Sequence, residues 1–428
     1  MRVAAIFAGH HAVEPSVMSW WRKAQLAPDE PPRLLVAVTD AQSLLLVRGQ
    51  LAAARAAGFD VMVLSSPGKI ADAVVAKEGV THIPIAMERA IAPLSDLGSL
   101  LRILAAVSII RPHIINAGTP KAGLLVIIAG FLTGVPCRIH TLRGLRFETL
   151  RGPKKLLLAA LTRLTCSLSH RVICISPSLR DRAIELGIAP AGKTVVLGAG
   201  SSNGLDIERF SSTPSRRARA QALRHQLGID KHCLVFGFAG RIARDKGVGE
   251  LCHAFVELAA RHADIHLLVV GAHDPSDPIP EPVAATLREH PRIHCPGHMR
   301  DMAVAYLAMD VLVLPTYREG FGNVLLEAAA LERPVIASAV TGCVDAVGDG
   351  INGTLVKVRD SRALARAMAR YLGDDMLRAR HGHAGRERVL RMFRQEDLWT
   401  LLHREYARLL SSHGLLDSDR EREREQTT

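Results

Sequence analysis

Residues 311–338, VLVLPTYREGFGNVLLEAAALERPVIAS, read as strand, turn, helix and strand. The runs VLVLPT (311–316) and RPVIAS (333–338) are short, apolar and separated by a helical stretch, which makes a βαβ unit. Strands without polar alternation are buried on both faces, so the sheet is parallel and covered by helices. Two carboxylates punctuate the unit: Glu319 lies in the turn beside Gly320, Phe321, Gly322 and Asn323, and Glu327 lies inside the apolar helix. Free backbone N–H groups where a helix begins can hold an anion, and glycine lets a ligand approach the backbone closely. A bare carboxylate is costly to bury, so Glu327 needs a hydrogen-bonding partner or a solvated edge.

The same grammar runs outward in both directions. RLLVAVTD (33–40), the helical LLLVRGQLAAARAAG with Gly58 closing it, and FDVMVLSS form a first βαβ unit. HIIN (113–116), CRIHTL (137–142) and RVICIS (171–176) continue that series. A second series comprises CLVFGFAG (233–240), IHLLVVG (265–271), RIHCPG (292–297), the opening stretch and TLVKV (354–358). Between them, residues 208–232 are polar and carry Pro214 with a basic cluster. At 428 residues the chain is too long for one hydrophobic core. The expected division is an unassigned extension (1–32), a first α/β domain (33–207), a connection (208–232), a second α/β domain (233–390), a closing helix (391–410) and a charged, flexible tail (411–428).

Composition narrows the function classes. The chain is 48% hydrophobic and 22% charged, as expected of a folded protein. Its seven cysteines are scattered without a CxxC pair, which argues against a disulfide framework or a zinc site and suits reduced, buried thiols of a cytoplasmic protein. The first residues lack the long apolar core of an export signal. The longest apolar run, GLLVIIAGFLTGV (123–135), is too short to span a bilayer and reads as a buried helix. Of the net charge of +12, nearly all sits in the first half: residues 1–205 hold 23 Lys+Arg against 12 Asp+Glu, and residues 206–428 hold 31 against 30. A basic half can face phosphates, nucleic acid or an anionic membrane surface, or be a solvated face without a partner. Nucleic acid loses ground because only 4% of residues are aromatic and no nucleic-acid motif is present.

The strand CLVFGFAG runs into RIARDKG, which places Arg241 and Lys246 in a turn at the carboxyl end of a strand, where open α/β sheets bind ligands. Two cations among glycines suit a diphosphate. Neither GxxxxGK[ST] nor GxGxxG occurs, so ATP hydrolysis and standard dinucleotide binding are disfavoured.

Together, GRIARDKG, PGHMRDMAVAYLAMDVLVLPTYREGFGNVLLEAAALERPVIAS and GCVDAVGDGINGTLV resemble the GT4 family of retaining glycosyltransferases, whose mark is two glutamates separated by seven residues. PIAMERAIAPLSDLGSLLRI, RPHIINAGTPKAGLL, RIHTLRGLRFE and GSSNGLDIERF resemble the subgroup that builds capsule, exopolysaccharide and O-antigen units. The resemblance extends over residues 33–410 and implies the GT-B fold, two Rossmann-like parallel α/β domains facing across a cleft. It implies that Arg241 and Lys246 neutralise the diphosphate of a nucleotide-sugar, UDP-linked by expectation. Glu319, with Gly320, Phe321, Gly322 and Asn323, would orient the sugar, Glu327 would hold the ribose, and His298 and Met299 in the PGHM loop would face the base. No cofactor or metal is implied; the only DxD, Asp417 with Asp419, lies in the tail. The acceptor implied is a polyprenyl-diphosphate-linked glycan reached from the cytoplasmic membrane face, with peripheral contact through the first domain.

The chain departs from the family where histidine commonly precedes the acceptor-domain glycine: HTLRG places Arg143 there, as an electrostatic or positioning residue near the transferred sugar. His140 is expected in a structural role rather than a catalytic one. The first βα turn, TDAQSLL, lacks the family's glycine pair. Asn116, Thr119 and Lys121 could contact an acceptor phosphate or simply cap a helix. Alternatives kept open are transfer to a small-molecule acceptor, a GT-B nucleotide-sugar epimerase and, outside enzymes, a basic nucleic-acid-binding protein.

Overall fold

The computed structural model describes residues 26, 30–88, 90 and 92–416. Most of the expected extension and most of the charged tail, with Asp417 and Asp419, lie outside the described residues.

Two parallel sheets organise the chain. The first contains β1 (Arg33–Ala37), β2 (Asp60–Ser65), β3 (Thr81–Pro84), β4 (Ile114–Ala117), β5 (Cys137–Leu142), β6 (Arg171–Cys174) and β7 (Thr194–Val195), in the order 3-2-1-4-5-6-7. The second contains β8 (Leu234–Ala239), β9 (Ile265–Val270), β10 (Ile293–Gly297), β11 (Val311–Leu314), β12 (Val335–Ser338) and β13 (Gly353–Val356), in the order 10-9-8-11-12-13. Central strands are apolar at every position because helices cover both faces: all six residues of β8 are buried, as are all four of β11. Gly237 in β8 serves close packing, since a methyl there would lie 2.0 Å from the sulfur of Met309.

Both sheets reverse their winding beside their first strand, between β1 and β4 and between β8 and β11. Loops at the carboxyl ends of such a switch point form the ligand crevice of a doubly wound sheet. Here the two sets of loops meet. The Ser176 hydroxyl, just after β6, donates to the Gly320 carbonyl after β11 at 2.9 Å. A methyl at Gly320 would lie 2.1 Å from the carbonyl oxygen of Arg143 after β5, so the domains touch backbone to backbone at that point.

The connection 208–232 is structured. It holds the helix Pro214–Gln226, with its Thr213 side chain capping the first turn, and it is bound to the second domain by Arg224 to Asp310 at 2.7 Å and Arg219 to Asp301 at 2.8 Å. The end of the chain divides into two helices. Asp375–Met392 packs on the second domain, whereas Gln395–Ser412 returns to the first, where Leu402, Tyr406, Leu409 and Leu410 join the core around Leu34 and Val36. The two crossings are bonded to each other, Leu205 N–H to Phe393 O at 2.7 Å and Gln395 N–H to Leu205 O at 3.2 Å. The apolar run expected as a buried helix is Pro120–Leu132, with seven buried residues.

Candidate active site

On the second domain, the turn after β8 and the turn after β11 are stitched together. The Tyr317 N–H and the Thr316 hydroxyl both donate to the Asp245 carbonyl, at 2.8 and 3.3 Å, and Arg318 pairs with the Asp245 carboxylate at 3.0 Å. This stitching brings Lys246 against Glu319, whose Oε1 accepts from the ammonium Nζ. Both side chains are largely shielded, 15% and 18% exposed, so the pair is little screened by solvent. Arg241, the second cation expected in this turn, pairs with a different carboxylate. Its guanidinium, half exposed at the rim, is held by Asp274 and lies 3.7 Å from Asp245.

Gly322 takes the left-handed conformation, φ +82, and opens the helix Asn323–Ala330, whose first turn has no side-chain cap. The Leu325 N–H turns back to the Gly322 carbonyl at 2.9 Å, and those of Asn323 and Val324, with no partner among the described residues, are left to a ligand or solvent. Phe321, expected in the turn whose backbone N–H groups hold a ligand, turns its side chain inward. Its ring is buried against Phe393 at 5.4 Å between centroids, which leaves only its backbone to the site. Asn323 lies at the domain boundary, with its Oδ1 accepting from the Ser201 hydroxyl at 3.5 Å.

Glu327 has the partner that its burial demands, and it is Tyr306, whose hydroxyl donates at 2.6 Å. Burial pushes the Glu327 carboxyl above the usual carboxylate range, while the Tyr306 bond and the charge of Arg209 act in the opposite direction. A hydrogen bond to a charged group contributes about 1.5–3 kcal/mol, enough to offset part of that desolvation. His298 is exposed and Met299 half-buried on the loop after edge strand β10, two strands from β8, with Asp301 anchored to Arg219 just beyond.

On the first domain, Arg143 leaves β5 and is clamped by backbone. Its Nε donates to the Gly118 carbonyl at 2.9 Å and its Nη1 to the Ser202 carbonyl at 3.0 Å and to the Ser202 hydroxyl. Its Nη2 makes no hydrogen bond to the described residues. Burial lowers its pKa to about 10, which still leaves it cationic at neutral pH. His140 is buried, donates from Nδ1 to the Ala117 carbonyl at 3.0 Å, and is held neutral to about 4 by burial. It fills the space beside Gly123, as its structural reading expects. Asn116, Thr119 and Lys121 are engaged within the domain: Asn116 donates to Tyr406 at 2.6 Å, Thr119 bonds Thr39 at 2.8 Å, and Lys121 pairs with Asp96 at 2.5 Å. Among the described residues, no group of three or more His, Cys, Asp or Glu could hold a metal ion.

This arrangement of two facing switch points can be set against known proteins. Residues 45–200 match the model of the glycosyl transferase 4-like domain, and residues 233–374 match that of the glycosyl transferases group 1. The capsular polysaccharide biosynthesis glycosyltransferase CapM of Staphylococcus aureus is 38% identical over 369 residues, 86% of this chain and 95% of that protein. The chain belongs to the group 1 glycosyltransferases.

A relative in Escherichia coli, named UDP-Gal:alpha-D-GlcNAc-diphosphoundecaprenol alpha-1,3-galactosyltransferase, is 26% identical over 68% of this chain and 74% of its own. The crystal structure of Anabaena HepE in complex with UDP and glucose superposes with a TM-score of 0.72 at 19% identity, covering 87% of this chain and 99% of that one, and shows the GT-B fold. The candidate site of the glycosyltransferase also contains residues that its sequence did not announce. Tyr306 is the clearest: a lone tyrosine in an apolar helix needs a partner for its hydroxyl, and that need was the signal available. Asp245 and Asp274, which set Lys246 and Arg241, and Ser202, which holds Arg143, gave no local sign.

Proposed function

We propose that this glycosyltransferase moves a sugar, with retention of configuration, from a UDP-sugar to a polyprenyl-diphosphate-linked glycan in surface polysaccharide biosynthesis. The observation that carries the reading is the shielded Lys246–Glu319 pair at the switch point, within reach of the Gly320 turn that touches Arg143. In this reading Lys246 and the uncapped N–H groups after Gly322 meet the charge that builds on the departing diphosphate, with Arg241 adding to it from the rim. Glu319, released to the sugar when phosphate takes Lys246, orients its hydroxyls. Glu327 accepts from the ribose hydroxyls, held by Tyr306. The bond from the anomeric carbon to the diphosphate oxygen breaks, a bond to the acceptor hydroxyl oxygen forms on the same face, and the hydroxyl proton passes to the leaving diphosphate. Arg143 steadies the charge between donor and acceptor through its unengaged Nη2.

The UDP donor and lipid-linked acceptor are supported by the name of the Escherichia coli relative and the polysaccharide role by that of the Staphylococcus relative. The basic charge of the first half suits a diphosphate-bearing acceptor and the inner membrane surface. Titration calorimetry with UDP, GDP and ADP, followed by transfer from the matching sugar-nucleotides to a detergent-solubilised polyprenyl-diphosphate N-acetylhexosamine, tests the reading. UDP binding with transfer to the lipid-linked sugar is expected. Interconversion of the donor without transfer, or transfer only to small soluble acceptors, would overturn it.

A further inference from the structure

The helix Pro93–Ile110 is apolar on two sides and covered on one. Its mean hydropathy is 1.5 over 18 residues, long and apolar enough to cross a membrane, yet only 22% of it is buried. Ser99, Ile103, Ala106 and Val107 face the core. Leu94, Leu97, Leu101, Ala105 and Ile109, at the three- and four-residue spacing of a second helical face, are exposed. Leu94 is 88% exposed, Leu97 55% and Leu101 59%, where a solvated helix would carry polar groups. This helix cannot leave to span a bilayer. It is the crossover from edge strand β3 to central strand β4 of a parallel sheet, and the Ser99 hydroxyl ties it to the Ala86 carbonyl at 2.8 Å.

A second helix, Gly152–Leu168, repeats the anomaly in cationic form. Only Thr165 and Cys166 of its residues are buried. Its first turns expose Lys154 and Lys155 beside Leu156, 71% exposed, and Leu157, 48%, with Arg151 immediately before them. Both helices pack on Pro120–Leu132, so they lie on one side of the domain. Each follows a strand of the parallel sheet. Their exposed first turns therefore stand at the carboxyl ends of the strands, the same edge that carries Arg143 and meets Gly320.

We propose that these two helix starts form a bilayer-docking rim beside the acceptor entrance. Leu94, Leu97, Leu101, Leu156 and Leu157 would enter the headgroup and acyl boundary while Arg151, Lys154 and Lys155 meet anionic lipid. The proposal rests on the lipid-linked acceptor reading and extends it: a glycan whose diphosphate sits at the membrane surface is delivered to the edge where Arg143 waits. The occupant is an anionic bilayer because the exposed leucines of Pro93–Ile110 share one side of the domain with the cluster of leucines and cations that opens Gly152–Leu168, an arrangement of apolar and cationic groups that one lipid surface satisfies at once.

Co-sedimentation of the full chain with vesicles of equal parts phosphatidylglycerol and phosphatidylcholine, against phosphatidylcholine alone, tests it. Binding is expected to the anionic vesicles, weakened but not abolished by high salt. Leu94→Glu with Leu97→Glu should remove it, and Lys154→Glu with Lys155→Glu should weaken it by at least ~30-fold, from ~5-fold per cation. UDP affinity, unchanged in both, shows that the variants are folded. As an independent readout, Leu97→Trp should shift its fluorescence to shorter wavelength on anionic vesicles. Failure of the wild type to sediment, equal sedimentation of the variants, or a wild-type dimer that Leu94→Glu dissociates would overturn the proposal. If the detergent-solubilised acceptor is still glycosylated in those cases, the acceptor reading stands without the rim. Vesicle binding without any transfer to the lipid-linked sugar would retain the rim and remove the acceptor.

Discussion

Lys246 and Glu319 are ion-paired across the switch point of the second sheet, one from the turn after β8 and the other from the turn after β11. Their assigned roles separate under substitution. Lys246→Ala removes a charge-assisted contact to the diphosphate and should weaken UDP binding by ~10- to 100-fold, read by calorimetry. Glu319→Gln keeps that contact. It should leave UDP affinity within a few-fold while lowering kcat by at least ~100-fold, since the carboxylate acts on the sugar. Equal loss of UDP affinity in both would place Glu319 at the nucleotide instead.

Tyr306 holds the ionised form of Glu327, so Tyr306→Phe acts through the carboxylate. Burial already raises the Glu327 pKa, and removing the hydroxyl removes one of the two influences that lower it. If the ionised form binds ribose, UDP affinity falls as pH drops through that raised value. Tyr306→Phe should move this acid limb to higher pH, measured as the UDP dissociation constant across pH. A uniform loss with no movement of the limb would mean the tyrosine is only packing.

Arg143 is tied to Gly118 and Ser202, not to the second domain's side chains. Arg143→Ala should therefore leave UDP affinity unchanged and lower kcat/KM for the acceptor by ~30-fold or more, an electrostatic contribution of ~2 kcal/mol. Arg143→Lys, which cannot span both carbonyls, should recover little of it. Steady-state kinetics with donor and acceptor varied separately decides the matter.

Gly320→Ala places a methyl 2.1 Å from the Arg143 carbonyl oxygen, a contact between two backbones that no side-chain rotation relieves. The expected result is separation of the donor turn from the first domain, with activity reduced by more than ~100-fold. Because the added methyl meets first-domain atoms, those of Arg143 and Ile175, UDP binding should persist. Small-angle scattering should show a more open particle than the wild type.

Acid stability is set in part by His140 and His403, both buried and both held neutral to about 4. Their folded pKa lies below the ordinary value, so between about 4 and 6.5 the unfolded chain binds protons that the folded chain does not. Stability is therefore lost as pH falls through that window, by up to ~1.4 kcal/mol per pH unit for each fully neutral histidine. His403 has an Nε2 without a hydrogen-bond partner among the described residues and packs 6.0 Å from the Phe59 ring. His403→Phe should flatten the fall in denaturant midpoint between pH 6.5 and 4.5; an unchanged slope would assign it to other groups.

Much of this molecule is written locally. The uninterrupted apolar runs of β8 and β11 specify strands covered on both faces, and their alternation with helices specifies a parallel sheet, because periodicity depends only on neighbours along the chain. The turn that carries Glu319 and opens a helix at Asn323 is equally local, since glycine at the left-handed Gly322 position stands in the sequence itself. So is the arrival of Arg143 at the end of β5.

What the tertiary structure decided is which of these groups meet and which faces are left bare. Phe321 stands in the ligand turn, but its ring turned to Phe393, 72 positions further along the chain. Arg241 and Lys246 are five residues apart and went to different carboxylates, Asp274 and Glu319, because the order of strands in the sheet chose their neighbours. The two apolar helices show the same limit. Pro120–Leu132 is buried and Pro93–Ile110 is bare on one side, although both read as apolar, because exposure depends on what the rest of the fold lays against a helix and hydropathy along the chain carries no information about that.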